Sequence, residues 1–322
     1  MGTNYSGTYA TPRLDLGIAY QELNPDPDKF IAEQVFVPFA TKKRDATFSV
    51  RSRESLTQDV DTKRAARGNF NRIDGELRDL SYNCDTHGLE GLVDDEERAL
   101  YQSDFDAEMA TVEDIDMALR ISKEKRAAAA LFDTSVWTGA TLYTDVSAAN
   151  PITDPSSDLV SVVLAAIESF ADAAAGEEPN ALVLNYSNLM ALLKNTGIRG
   201  HFPGAPKVTL GMIREALADI FGLEKLMVGR ARYRTSADGA ASATFSPIWS
   251  SSYMAVCRVA PSESASLRTS CVGRTMKWSQ FDAGLAVQMY REEQHMSDVV
   301  RAFECVDELT TDVRMSHLVK VR

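Results

Sequence analysis

Charge along this chain is sorted rather than mixed, and the sorting limits what the chain can fold into. From Lys42 to Arg78 ten basic residues stand against six acids; from Asp79 to Asp116 thirteen acids stand against one base, Arg98. Neighbouring blocks of opposite sign attract, within one subunit or between two. They meet at Ser81–Glu97, SYNCDTHGLEGLVDDEE, which runs into an unbroken helical pattern reaching about Asp133. Asp94 and Asp95 open that helix, and Asp95-Glu96-Glu97 complement the positive end of its dipole. Phe105, Met109, Val112, Ile115 and Leu119 recur at spacings of 4, 3, 3 and 4, one apolar stripe on a solvated rod. The stripe fades into Lys123-Glu124-Lys125-Arg126, so the spacing predicts a helix laid across a sheet rather than a coiled coil. A basic, core-poor segment beside a long acidic helix suits a subunit that reaches onto an identical neighbour.

At 322 residues the chain exceeds the size at which one core usually stays undivided, so one large or two medium lobes are expected. A hydrophobic fraction of 44% and a charged fraction of 25% exclude wholesale disorder. No apolar run approaches the roughly 20 residues of a bilayer span, and no membrane partner is expected. The stretch MGTNYSGTYATPRLDL lacks the basic and apolar regions of a secretory signal, and Gly2 with Ser6 matches an acylation pattern as short polar segments do by chance. A net charge of −12 argues against nucleic-acid binding as the primary job. Cys84, Cys257, Cys271 and Cys305 are far apart and read as reduced thiols. His87, His201, His295 and His317 show no ligand spacing, so neither metal nor cofactor is expected. Nucleophile-elbow, Walker and dinucleotide-binding motifs are missing from the sequence, and the lone Gly229 after a strand does not replace them. Gly197–Pro206 reads as an irregular connection. The carboxylates of Asp94–Glu97 diverge around a helix and cannot converge on one cation.

Residues 1–45, with prolines at 25, 27 and 38, read as a tethered arm with a short helix around Asp28–Gln34. Thr47–Arg51 alternates as a strand with Phe48 and Val50 on one face, and the polar stretch Arg53–Arg78 reads as an extended two-stranded loop with its tip near Thr62–Gly68. From Asp154 helices and strands alternate, marking an α/β lobe. One helix starts near Pro155, carries Leu159, Val163, Ile167 and Phe170, and stops at Ala175-Gly176. Ala181–Leu184 is a buried strand; Asn185 or Ser187 caps the next helix, closed by Gly197. Thr209 caps Leu210–Phe221, with Gly222 as the stop. Lys225–Tyr233 and Ile248–Val259 read as strands about a turn at Asp238-Gly239. Leu285–Tyr290, Val299–Val306 and Val313–Val321 read as strands returning to the lobe of the long helix.

The chain resembles the major capsid proteins of tailed bacteriophages, whose fold is shared with encapsulin shells and the floor of herpesvirus capsids. Tyr82-Asn83-Cys84-Asp85, Gly88-Leu89-Glu90 and Val93-Asp94-Asp95-Glu96-Glu97 resemble that family's junction between extended loop and spine helix. NALVLNYSNLMALLK at Asn180–Lys194, ALADIFGLEKLMVGRARYRT at Ala216–Thr235 and SPIWSSSYMAVC around Trp249 resemble later segments, in the family's order over roughly residues 46–260. The resemblance implies an α+β, phage major-capsid-type fold. Its parts would be an N-terminal arm (1–45), an extended β-loop (46–85), a peripheral lobe with spine helix and sheet (86–150 and 280–322) and an α/β axial lobe (151–279).

It also implies self-assembly as hexamers and pentamers into an icosahedral shell around DNA, made in the host cytoplasm and ending in the virion, with no enzymatic activity. The partners implied are a separate scaffolding protein, a portal protein and a decoration protein, with genomic DNA enclosed but not read. An encapsulin-like nanocompartment and, remotely, an α/β enzyme are the alternatives. With about 45 residues before the loop and no long periodic helix among them, little maturation proteolysis is expected. No asparagine follows Asn195, so the covalent lysine–asparagine cross-link of some relatives is not expected. In its place, some of Arg51, Arg53, Lys63, Arg64 and Arg67 on one subunit are expected to pair with some of Asp94, Glu96, Glu97, Asp104 and Glu108 on another.

Overall fold

The computed structural model of the chain describes residues 11–12, 29–51, 56–64, 68–101, 107–200, 210–237, 239–279 and 285–322. Strand β1 (Thr11–Pro12) precedes helix α1 (Ala32–Val35), β2 (Val37–Thr41) and β3 (Asp45–Arg51). Strands β4 (Leu77–Asn83) and β5 (Asp85–Asp94) lead into helices α2 (Asp95–Tyr101) and α3 (Ala107–Leu131), then β6 (Tyr143–Asp145). The middle of the chain carries α4 (Leu159–Ala173), β7 (Ala181–Asn185), α5 (Tyr186–Lys194), α6 (Thr196–Gly200), α7 (Leu210–Phe221), β8 (Lys225–Gly229), β9 (Arg232–Arg234), β10 (Phe245–Pro247) and β11 (Tyr253–Cys257). Last come β12 (Gly273–Trp278), β13 (Ala286–Glu292), β14 (Ser297–Thr310) and β15 (Ser316–Lys320).

Two sheets organise these elements. The first has six strands in the order β1-β13-β14-β12-β2, with β5 also paired to the long β14; the second has five, β6-β15-β11-β7-β8. Helix α3, 25 residues and so about 37 Å long, crosses the first sheet. Val112, Ile115 and Leu119 of its stripe are buried against Val93, Val287, Val300 and Ala302. The second sheet is covered on both faces. Ala181 and Val183 of β7 face one cluster with Phe170 and Trp249, while Leu182 and Leu184 face another with Leu159, Val163 and Leu189. Burial on both faces explains why this strand reads as a continuous apolar run.

Local signals placed several boundaries well. Asn185 caps α5 by accepting the Ser187 N–H at 2.6 Å, and Gly222 after α7 takes a left-handed conformation (φ 64°). The expected loop is two-stranded only at its base, β3 against β4 from Asp45↔Asn83 to Arg51↔Leu77; the described residues 56–64 and 68–76 form no strand. Other boundaries moved. Helix α4 begins at Leu159 because Asp158, not the turn at Pro155, accepts the Ser161 N–H at 3.1 Å. Gly197 lies inside α6 rather than closing α5. The strand expected over Lys225–Tyr233 breaks into β8 and β9, which belong to different sheets, and Ile248–Val259 is a strand only over β11.

The larger differences are in which parts pair. Strands β13 and β14 do return to the sheet under α3. Strand β15 does not: it lies between β11 and β6 in the second sheet. Conversely β12, expected within the axial lobe, joins β14 to β2 in the first sheet. The segment read as a core-poor arm contributes Ile31, Val35 and Phe36, all buried, and β2 runs parallel to β12. Phe36 fits because Gly273 lies beneath it; a Cβ there would stand 2.3 Å from its ring.

Candidate inter-subunit surface

Two regions carry the chemistry singled out in the sequence: the projecting β3–β4 hairpin with its tip, and the acidic start of the spine helix. Strand β3 buries alternate residues partly, and Phe48 and Tyr82 pack at its root with ring centres 6.3 Å apart. Arg78 reaches from β4 to the Thr311 carbonyl. Between the far end of the paired strands and the body lies a cleft of about 790 Å³ whose lining includes Val50, Leu77, Leu267 and Arg314.

Of the basic candidates, Arg51 ends β3 and is exposed. The Lys63 N–H donates to Asp61 Oδ1 at 2.8 Å, in a local turn. Arg64 donates from Nε to the Gly68 carbonyl at 2.6 Å and lies over the Phe70 ring at 4.8 Å, which stiffens the tip. Arg53 and Arg67 lie outside the described residues, as does Asp104 on the acidic side. The hairpin also displays apolar residues: Leu56, Phe70, Ile73 and Leu77 are all exposed.

The acidic block is answered in part within its own subunit. Arg98, its single base, binds Glu108 at 2.9 Å and Asp298 at 2.6 Å. Arg291 grips Asp95 through two bonds of 2.7 and 2.5 Å, and these hold the Asp95 carboxyl below its ordinary range. The expected partner Glu108 is therefore already engaged. Asp94 accepts the Glu96 N–H at 2.8 Å, and Glu96 is exposed; Glu97 lies in α2. Arg291 and Asp298 carry no local sequence signal, because their role exists only when β13 and β14 fold back beside β5.

The second group missed in the sequence is buried under α3. Lys123 binds Glu33 at 2.7 Å and Glu304 at 3.4 Å. Burial alone would lower its pKa; Glu304 and Glu33 outweigh that and hold it above the usual lysine range. Arg126 makes a bidentate pair with Glu308 at 2.8 and 3.0 Å. Glu124 accepts the Ala32 N–H at 2.6 Å and the Trp249 indole N–H. These bonds tie the spine helix to the arm, to β14 and to the segment before β11. A partial signal was present: 119, 123, 127 and 131 continue the stripe at steps of four, which turns Lys123 inward while Lys125 in the same run is exposed.

All four cysteines are free and buried. Among the described residues no group of histidine, cysteine, aspartate or glutamate is arranged to hold a metal ion, and no helix is long and apolar enough to cross a membrane.

No family model matches this sequence, and no curated protein matches it. Solved structures match it over nearly its whole length. A phage-related protein from Bordetella bronchiseptica aligns with a TM-score of 0.73 at 17% identity, covering 98% of each chain. The capsid of the cyanophage P-SCSP1u gives 0.56 at 11% identity, over 99% of this chain and 90% of that one. A virus-like particle from Pyrococcus furiosus gives 0.52 at 10% identity, over 96% and 97%. The likeness is one of fold: this α+β chain has the fold of phage capsid subunits.

Proposed function

We propose that this chain is a major capsid protein of a tailed bacteriophage, assembling as hexamers and pentamers into an icosahedral shell around the genome. The observation that carries the reading is a capsid-subunit fold matched end to end. The hairpin adds to it, because an arm that exposes Phe70, Ile73 and Leu77 to water suits a partner that covers them. In this reading residues 1–45 form the arm and 46–85 the extended loop, while the peripheral lobe is built on the first sheet with the spine helix, β12 included, and the axial lobe on the second sheet, β15 included. The product resides in the virion, and a separate scaffolding protein, a portal and a decoration protein are its further partners. A net charge of −12 suits a wall that must not bind its contents. The work is mechanical rather than catalytic. A cellular nanocompartment shell is the second reading, favoured by the likeness to the Pyrococcus particle.

Electron microscopy of the expressed protein, alone and with the neighbouring genes of its locus, tests this. Closed icosahedral particles are expected. A protein that stays monomeric under all these conditions would exclude both shell readings, and a co-purifying enzyme cargo would favour the nanocompartment.

A further inference from the structure

Among the described residues, the sheet beneath the spine helix is open along one side. Strand β5 pairs with β14 through all ten of its residues, from Asp85↔Val306 to Asp94↔Ser297, and with no other described strand. Such an edge offers unpaired N–H and C=O groups over about 30 Å. Proteins blunt long edges with proline, lysine or a bulge. DTHGLEGLVD holds neither proline nor lysine, and its register with β14 is continuous; its charges are three carboxylates, Asp85, Glu90 and Asp94, which disfavour a second copy of the same edge and suit a basic segment. Leu89 and Leu92, 45% and 57% exposed, stand on opposite faces of the strand.

The hairpin tip has the complementary need. Residues 69–75, NFNRIDG, are irregular and exposed, and their backbone groups make no hydrogen bond to other described residues. Phe70 and Ile73 are 70% and 61% exposed. Their spacing of three equals that of Leu89 and Leu92. An antiparallel alignment that sets Phe70 beside Leu92 also sets Ile73 beside Leu89 and brings Arg72 opposite Glu90. A parallel alignment matches the apolar pairs but places Arg72 opposite Gly91. The segment cannot reach its own β5. The seven residues of β4 lie between them and, held against β3, carry the tip roughly 23 Å away.

We propose that residues 69–75 of one copy add as an antiparallel strand to the open β5 edge of a neighbouring copy, with Arg72 opposite Glu90. The inference rests on the shell reading and names the contact through which one subunit holds the next. Backbone pairing supplies the hold; the two apolar pairs and the one charge pair set register and direction. Glu90 already receives Tyr290 Oη at 3.3 Å and Arg301 at 3.4 Å, long contacts that leave a carboxylate acceptor capacity for Arg72.

Hydrogen exchange on wild-type particles and on isolated subunits tests the pairing, and paired cysteines test the register. Peptides covering 69–75 and 85–94 should both exchange at least about ten-fold more slowly in particles. Ile73→Cys combined with Leu89→Cys should give covalent multimers under mild oxidation, and Ile73→Cys with Leu92→Cys should not. Cross-linking of the second combination alone would overturn the antiparallel register. If particles form and residues 69–75 exchange as fast as in free subunits, strand addition is wrong while the shell reading stands. If the wild-type protein never assembles, the shell reading itself fails, and this contact with it.

Discussion

Glu124 is the residue on which three parts of the subunit converge. Burial pushes its carboxyl above the ordinary range, against the opposing pull of the Ala32 N–H and the Trp249 indole. Both of its oxygens are used, one on the arm and one on the segment before β11. A glutamine has the same shape but a single acceptor oxygen, so one of the two donors would face an amide NH₂. Glu124→Gln should therefore destabilise the isolated subunit by about 1–3 kcal/mol, read from urea denaturation. An unchanged midpoint would remove Glu124 from the account of how arm and sheets are joined. The charge of Glu124 was legible in the sequence, but its burial was not. In a run of four charged residues, solvation is the ordinary expectation, and the continuing step of four pointed to Lys123, one residue before it.

At the scale of elements, the fit between α3 and the first sheet depends on Gly91. A Cβ at that position would lie 2.2 Å from Thr111 Cγ2, so the helix rests directly on the strand backbone. Gly91→Ala should cost about 1–3 kcal/mol by overpacking. Thr111→Ala in the same chain should recover most of the loss, a coupling that a thermal-melt double-mutant cycle measures. Independent, additive effects would show that the two sites do not touch. The spine stripe, the buried β7 and the caps at Asn185 and Gly222 were readable because each is fixed by neighbours in sequence. Strand β5 was not, since two glycines and its acids give it little β propensity and its partner β14 lies some 200 residues away. The same reason hid β12 and the destination of β15, whose places are decided by pairing across the chain rather than by local pattern.

For the whole molecule, sorted charge has one use inside the subunit and a second, proposed use between subunits, which the sequence could not separate. Part of the acidic block is neutralised inside the subunit by Arg98 and Arg291, and the pairing we propose with a neighbour's Arg51, Lys63 and Arg64 falls to a smaller set, Asp94 and Glu96 foremost among the described residues. Exposed pairs of this kind contribute only about 0–1 kcal/mol each, so their effect comes from repetition around a shell. Replacing Arg64 and Arg67 together by Glu should lower particle melting at low salt, with the difference shrinking as salt rises, while the free subunit stays folded. Particles that melt like wild type at every salt concentration would show the two blocks to be solvated faces. The order of the second sheet also has a consequence in time. Strand β15 sits inside it, between β6 and β11. A ribosome must therefore have made the chain through Lys320 before this sheet can close, and until then β11 waits with one flank bare.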